Sequence, residues 1–292
     1  MSFTQAMYMS DSGCTDLARI KLKAKVCPLS KEENKASKEP IIYAITPTFA
    51  RPEQKAELTR LSQTLMLVPL LQWIIIEDAE EKTDLVSNLL ESSGISFTHL
   101  VAHTPPQQKL KETDAHWAKP RGVLQRNTAL QWLHDNLGPD DLGVVYFADD
   151  DNSYSIQLFE ELRYTKQVSV WPVGLVGGLM VERPIPDMHG KVTSFNAGYK
   201  PNRPFPIDMA GFAINLQLLL SKPNAQFLYE VEPGYQESQL LKQLTTREEL
   251  EVKADNCTKV YVWHTRTEKP KMREELRRKK EGLYPSHFNI EV

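Results

Sequence analysis

The sequence predicts an α/β fold built on a mostly parallel sheet flanked by helices. Short apolar, β-branched runs alternate with longer amphipathic segments from Pro40 to about Asp151, the pattern of strands joined by crossover helices. Several of these runs end on hydroxyl or acidic residues, as expected where an open parallel sheet gathers ligand groups at its carboxyl edge. The composition, 41% hydrophobic and 25% charged over 292 residues, supplies a sizeable core.

Taken in order, residues 1–39 are polar, and SKEENKASKEP reads as a solvated linker or stem. Ile41 to Ile45 is a buried strand entering Thr46-Pro47-Thr48. Pro52 to Leu67 is a helix, with Ala56, Leu58, Leu61 and Leu65 on one side and Pro52 near its first turn. Trp73 to Ile76 is a second strand closing on Glu77-Asp78. A helix around Leu85–Leu90, a strand Phe97–Val101, a helix from about Gly122 to Leu137 and a strand Val144–Phe147 follow. The second half is richer in Gly and Pro. There Val168–Val173 and Phe212–Asn215 read as strands, and Gln236–Leu244 and Lys271–Lys280 as helices. The expected organisation is a donor-binding subdomain, 40–151, closely joined to a second subdomain, 152–292.

Thirty-five basic against 38 acidic residues, a net charge of −3, argue against a nucleic-acid binder. The longest apolar run, Leu65–Ile76, is interrupted by Pro69 and Gln72 and falls short of the roughly 18 residues of a membrane span. Lys21, Lys23 and Lys25 interrupt any apolar core of a signal peptide. Cys14, Cys27 and Cys257 have no zinc spacing and make no disulfide framework, although Cys14 and Cys27 allow an intermolecular bridge. Asn256-Cys257-Thr258 is an N-glycosylation sequon.

The strongest chemical signal is Phe147-Ala148-Asp149-Asp150-Asp151-Asn152. Consecutive carboxylates at a strand end repel one another unless a cation neutralises them. A divalent metal shared with a diphosphate does this, because hard cations take oxygen from one or two carboxylates plus phosphates; a solvated acidic loop is the alternative. Phe49 and Asp78, at the ends of the first two strands, offer a nucleotide base an aromatic face and a hydrogen-bonding carboxylate. Arg121 and Arg126 offer two guanidinium groups for anionic oxygens. Arg277-Arg278-Lys279-Lys280 reads as a solvated helix face, Val176-Gly177-Gly178 is too short for a phosphate loop, and Trp117, Trp132 and Trp171 read as packing residues.

The strings TPTFARPEQKAELTRLSQTL, IIIEDAE, PRGVLQRN, VVYFADDDNSYS, VSVWPVGLVGGL, RPFPIDMAGFA, GYQESQLL and NCTKVYVWHTRTEKP together closely resemble the β-1,3-glucuronyltransferase family from about Pro40 to Pro270. VGLVGGL, KPNAQF and TEKPKM are most similar to the branch acting on the glycosaminoglycan linkage region. The resemblance implies a nucleotide-sugar transferase (GT-A type) fold of two closely packed subdomains and an inverting, Mn2+-dependent mechanism. It implies UDP-glucuronate as donor and, as acceptor, a galactose-terminated glycan on a proteoglycan core protein. Asp151 matches the metal ligand, and Asp149 and Asp150 match positions contacting the donor's sugar and ribose. Pro47, Asp78 and Arg121 match the uridine pocket, with Thr48, Phe49 and Arg51 beside it. Arg126 matches a donor-sugar contact, and His264 and Arg266 match residues around the diphosphate. Glu237 matches the catalytic base, and Glu182, Arg203 and Asp208 match acceptor contacts.

The resemblance further implies a homodimer formed through the C-terminal segment, a Golgi-lumen location, glycosylation at Asn256 and a type II membrane anchor. No anchor is recognised in this sequence, so a truncated or soluble form is expected. Three residues depart from the family pattern. Phe49 stands where Tyr is usual, Tyr199 where Trp or Phe is usual, and Glu274 where a Gln reaches the neighbouring subunit. These departures keep open an acceptor of N-acetyllactosamine type or another donor, and the missing anchor a catalytically silent binding protein.

Overall fold

The computed structural model describes residues 39–110, 119–268, 270–288 and 290. The stem through residue 38, Cys14, Cys27 and Trp117 lie outside the described residues. Twelve strands were identified: β1 (Ile41–Thr48), β2 (Leu71–Glu77), β3 (Ser96–Val101), β4 (Gly143–Phe147), β5 (Ser153–Tyr154), β6 (Val168–Val170), β7 (Val173–Val176), β8 (Leu179–Pro186), β9 (Val192–Asn196), β10 (Phe212–Asn215), β11 (Leu250–Val252) and β12 (Val262–Trp263). The helices are α1 (Gln54–Leu65), α2 (Asp84–Ser93), α3 (Val123–Asn136), α4 (Ile156–Leu162), α5 (Leu216–Leu220), α6 (Gln236–Leu241) and α7 (Arg273–Lys280).

A seven-stranded sheet has the order β11-β6-β10-β4-β1-β2-β3. All of its pairings are parallel except those of β10, which runs antiparallel to β4 and β6. The predicted mostly parallel sheet flanked by helices is therefore present, and it takes strands from both sides of residue 151. Side chains alternate across its plane. Tyr43, Ile45, Ile74, Ile76, Val145 and Phe147 face α3, α5 and α6. Ile42, Ala44, Trp73, Ile75, Val144 and Tyr146 face α1, α2 and α4. Both faces are covered, so β1, β2 and β4 read as continuous apolar runs.

The helix ends follow local chemistry. Thr83 accepts from Val86 N at the start of α2, and Ser155 accepts from Gln157 N at the start of α4. Gly94, at φ 68°, ends α2 in the left-handed conformation. Four expectations are corrected at their edges. The first helix starts at Gln54 and ends at Leu65, two residues inside the predicted span at each end. Val168–Val173 divides into β6 and the start of β7, in different sheets, because Pro172 has no N–H to continue a ladder. The helix from Gln236 ends at Leu241 and tightens into turns closed by Gln243 N and Leu244 N. The C-terminal helix begins at Arg273.

A second, five-stranded sheet has the order β5-β12-β7-β8-β9, and its β5 follows β4 in the chain. Trp171, between β6 of the first sheet and β7 of the second, and Tyr146 of β4 both donate to Ala210 O (2.8 and 3.2 Å). That shared carbonyl fixes the turn bearing Asp208. Among the described residues no helix is long and apolar enough to cross a membrane.

Candidate active site

Parallel pairing of β2, β1 and β4 brings Glu77-Asp78, Thr48-Phe49 and Asp149-Asp150-Asp151 to one edge. Asp78 N donates to Thr48 O at 2.8 Å, which places Asp78 beside Phe49. Both carboxylate oxygens of Asp78 accept from Thr104, from its N–H at 2.8 Å and its hydroxyl at 2.7 Å. Phe49 is 42% exposed, and the Arg51 guanidinium lies over its ring at 4.6 Å.

The three aspartates differ in their partners. Asp149 is paired with Arg126 at 2.6 Å, and its carbonyl accepts from Tyr154 Oη at 2.7 Å. Gly122 makes this possible, because a Cβ there would lie 2.6 Å from Arg126 Nη1. Its φ of 71° also suits glycine. Asp150 is buried, accepts from Thr48 Oγ1 at 2.7 Å and is paired with Arg51 at 2.7 Å. Burial pushes its carboxyl up to about 6 against the opposing pull of Arg51 and Thr48. Arg51 is held in turn by Glu57 of α1, and Gln54 donates to Thr48 Oγ1 at 3.2 Å.

The Asp151 carboxylate has neither of these arginines as a partner. Burial first, then the Asp149 charge, raises its pKa, and its backbone carbonyl is held by Arg60 and Thr265. No group of three or more His, Cys, Asp or Glu side chains is arranged to hold a metal by itself among the described residues. A carboxylate with no hydrogen-bonded arginine, at the same strand edge, fits a cation whose other ligands are oxygens of a bound diphosphate.

Glu237 lies in the first turn of α6. Its Oε2 is buried without a hydrogen-bond partner and stands 3.7 Å from Arg203 Nη1. Burial, then the Asp208 charge, raises its carboxyl from 4.5 to about 7. Asp208 lies 3.4 Å from His264 Nδ1. Burial opposes ionisation of Asp208, but His264 and Ala210 N outweigh it and hold the carboxyl below its usual range. The same pairing raises His264 against its own desolvation. Arg126 and Asp208 both act on Glu237, and His264 acts on Asp151.

Glu182 is buried and accepts from Gly198 N at 2.7 Å and from Tyr199 N at 3.4 Å. Tyr199 is 42% exposed, with its ring near Lys200 Nζ (5.6 Å) and the Arg203 guanidinium (6.0 Å). Arg203 is buried and also donates to Gly234 O. Pro47 lies in β1, 3.4 Å from the Cβ position of Gly122. Arg121 and Arg266 are less engaged. Arg121 is exposed and supplies its carbonyl to Arg126, and Arg266 Nη2 is 3.4 Å from His264 Nε2. Asn256 stands apart, exposed in a left-handed turn, Ala254–Cys257, whose four residues have φ between 53° and 59°. Glu274 is exposed on α7 and pairs with Arg277 at 2.9 Å.

Residues 61–268 match glycosyltransferase family 43. The chain belongs to that family. Galactosylgalactosylxylosylprotein 3-beta-glucuronosyltransferase 3 of Mus musculus is 56% identical over 260 residues, covering 85% of this chain and 77% of the relative. The Homo sapiens protein of that name is 56% identical over 254 residues (83% and 75%). Galactosylgalactosylxylosylprotein 3-beta-glucuronosyltransferase I of Drosophila melanogaster is 55% identical over 248 residues (83% and 81%).

In this family 43 chain, sequence reasoning missed several residues that build the site: Gln54, Glu57, Thr104, Tyr154, Phe227 and Thr265. Glu57 left a signal, being a carboxylate one turn before Leu61 on the apolar side of α1. Phe227, buried beneath Arg126 (5.9 Å), left none, since its contact spans a hundred positions.

Proposed function

We propose that the protein is an inverting, metal-dependent 3-β-glucuronosyltransferase. It moves glucuronate from UDP-glucuronate to the 3-hydroxyl of a terminal galactose in the proteoglycan linkage region. In support, three relatives more than half identical to this chain are named galactosylgalactosylxylosylprotein 3-beta-glucuronosyltransferases. The observation within the chain that carries the reading is Glu237: a carboxylate with an unpartnered buried oxygen 3.7 Å from Arg203 Nη1, raised by burial to about 7.

In the proposed reaction Phe49 and Asp78 bind the uracil, with Pro47, Thr48, Arg51 and Arg121 around the uridine. Asp149 and Asp150, held by Arg126 and Arg51, accept from sugar and ribose hydroxyls. Asp151 would hold Mn2+ together with the donor's phosphates, and the ion would neutralise charge on the departing UDP. His264, Arg266 and Arg126 add positive charge to that face. Glu182, Tyr199, Arg203 and Asp208 orient the acceptor. Glu237 takes the proton from the acceptor 3-hydroxyl as its oxygen attacks the anomeric carbon. The bond to UDP breaks on the opposite face, so an α donor gives a β product.

A general base of this kind contributes roughly 10² to 10⁴ in rate. Glu237→Gln keeps size and polarity but removes the base, and is predicted to lose transfer by that factor while retaining affinity for UDP-glucuronate. Turnover within a few-fold of wild type would place the base elsewhere. We further propose, from the resemblance alone, a Golgi-lumen location, a type II anchor, a homodimer and a glycan on Asn256. A tagged full-length form found outside the Golgi would contradict that compartment.

A further inference from the structure

We infer that Thr104, supported by Gln125, is the positioning residue that makes the nucleotide pocket select uracil over cytosine. The inference rests on the proposed use of Asp78 as base reader. Asp78 is fixed at three points: its N–H to Thr48 O (2.8 Å), and its two carboxylate oxygens to Thr104 N (2.8 Å) and Thr104 Oγ1 (2.7 Å). Gln125, buried on α3, donates from Nε2 to Thr104 Oγ1 (3.0 Å) and to Ala102 O (2.6 Å). The Thr104 hydroxyl has one proton. With that proton on Asp78 and the Gln125 amide donating to the oxygen, the hydroxyl has a single orientation. His103 Nδ1 stands 3.8 Å from Asp78 Oδ1.

A carboxylate held in this way has acceptor capacity left on each oxygen and is only an acceptor. Uracil presents N3–H and donates to it. Cytosine presents an unprotonated N3, so two acceptors meet and neither is satisfied by the other. A site built to hydrogen-bond one group rejects an analogue lacking it most strongly when its own groups cannot turn away. Thr104 supplies that rigidity.

The test is calorimetric binding of UDP and CDP, with manganese, to wild type, Thr104→Val and Thr104→Ser. Valine keeps the β-branched shape and the backbone bond to Asp78 but removes the hydroxyl, and Gln125 remains held by Ala102. Wild type is expected to prefer UDP. Thr104→Val should lower the UDP/CDP affinity ratio by about tenfold, the order of one hydrogen bond to a charged group, and Thr104→Ser should restore it. An unchanged ratio in Thr104→Val, including equal weakening of both nucleotides, would overturn the role of Thr104 while leaving the donor reading intact. Absence of UDP binding by wild type, or no preference over CDP, would overturn the inference, and the former would remove the donor reading with it.

Discussion

Glu237 is costly to the fold in the state the reaction needs. Its carboxyl ordinarily titrates at 4.5 and in the fold at about 7, so the protonated form is favoured by folding. The stability it allows is fully present below pH 4.5 and is lost as pH rises through 7, up to about 3 kcal/mol from the size of the shift. Glu237→Gln is therefore predicted to melt with wild type at pH 4 and above it at pH 8. Equal melting temperatures at pH 8 would show that the buried charge is compensated. The same titration gives transfer an acid limb near pH 7, since only the carboxylate accepts a proton. Residue types around Glu237 were legible: the aspartate run after an apolar strand is a local signal, and the resemblance supplied Glu237 itself. The Arg51–Glu57 and Asp78–Thr104 pairings were not legible. The first needs the rotamer of an arginine shared by two carboxylates, and the second joins the ends of two parallel strands.

At the scale of elements, the β7–β8 hairpin shows how backbone conformation sets a binding residue. Gly177 has φ 61°, and a Cβ on it would overlap Glu182 Oε1. The glycine lets the hairpin close against the buried carboxylate that holds Gly198 N. Gly177→Ala is predicted to cost on the order of 1–3 kcal/mol of stability and to raise the KM for acceptor several-fold, with UDP binding unchanged. A drop in UDP affinity matching the acceptor effect would mean that the hairpin serves both halves of the site. The elements that were readable are those whose register is written locally: β1, β2 and β4 as apolar runs, α1 through its apolar side. The second sheet was largely missed. β8 and β9 carry exposed, mixed side chains, and β5 and β12 are two residues each. Their existence depends on partners distant in the chain, and pattern alone does not reveal it.

At the scale of the whole molecule, the proposed donor groups come from β1, β2, β4, α3 and the segment after β12, whereas the proposed base and acceptor groups come from β8, the segment after β9, α6 and the turn before β10. The two sets meet because β10 inserts antiparallel beside β4 and brings Asp208 to the edge that carries Asp149. Leu276 of the charged α7 and the following Leu283, Tyr284 and Phe288 are exposed, and we propose that this segment meets a second copy. Sedimentation at micromolar concentration is predicted to give a homodimer, and a monomer would contradict it. The central claim, metal-dependent transfer of glucuronate, has a direct test. Purified protein is given UDP-glucuronate and a galactose-β-1,3-galactose acceptor, with manganese, after chelation, and after manganese is restored, with Asp151→Ala run in parallel. The predicted result is a β-1,3-linked glucuronate product that disappears on chelation, returns with manganese and is absent for Asp151→Ala. Transfer that persists unchanged after chelation, or no transfer from UDP-glucuronate in the presence of manganese, would contradict it.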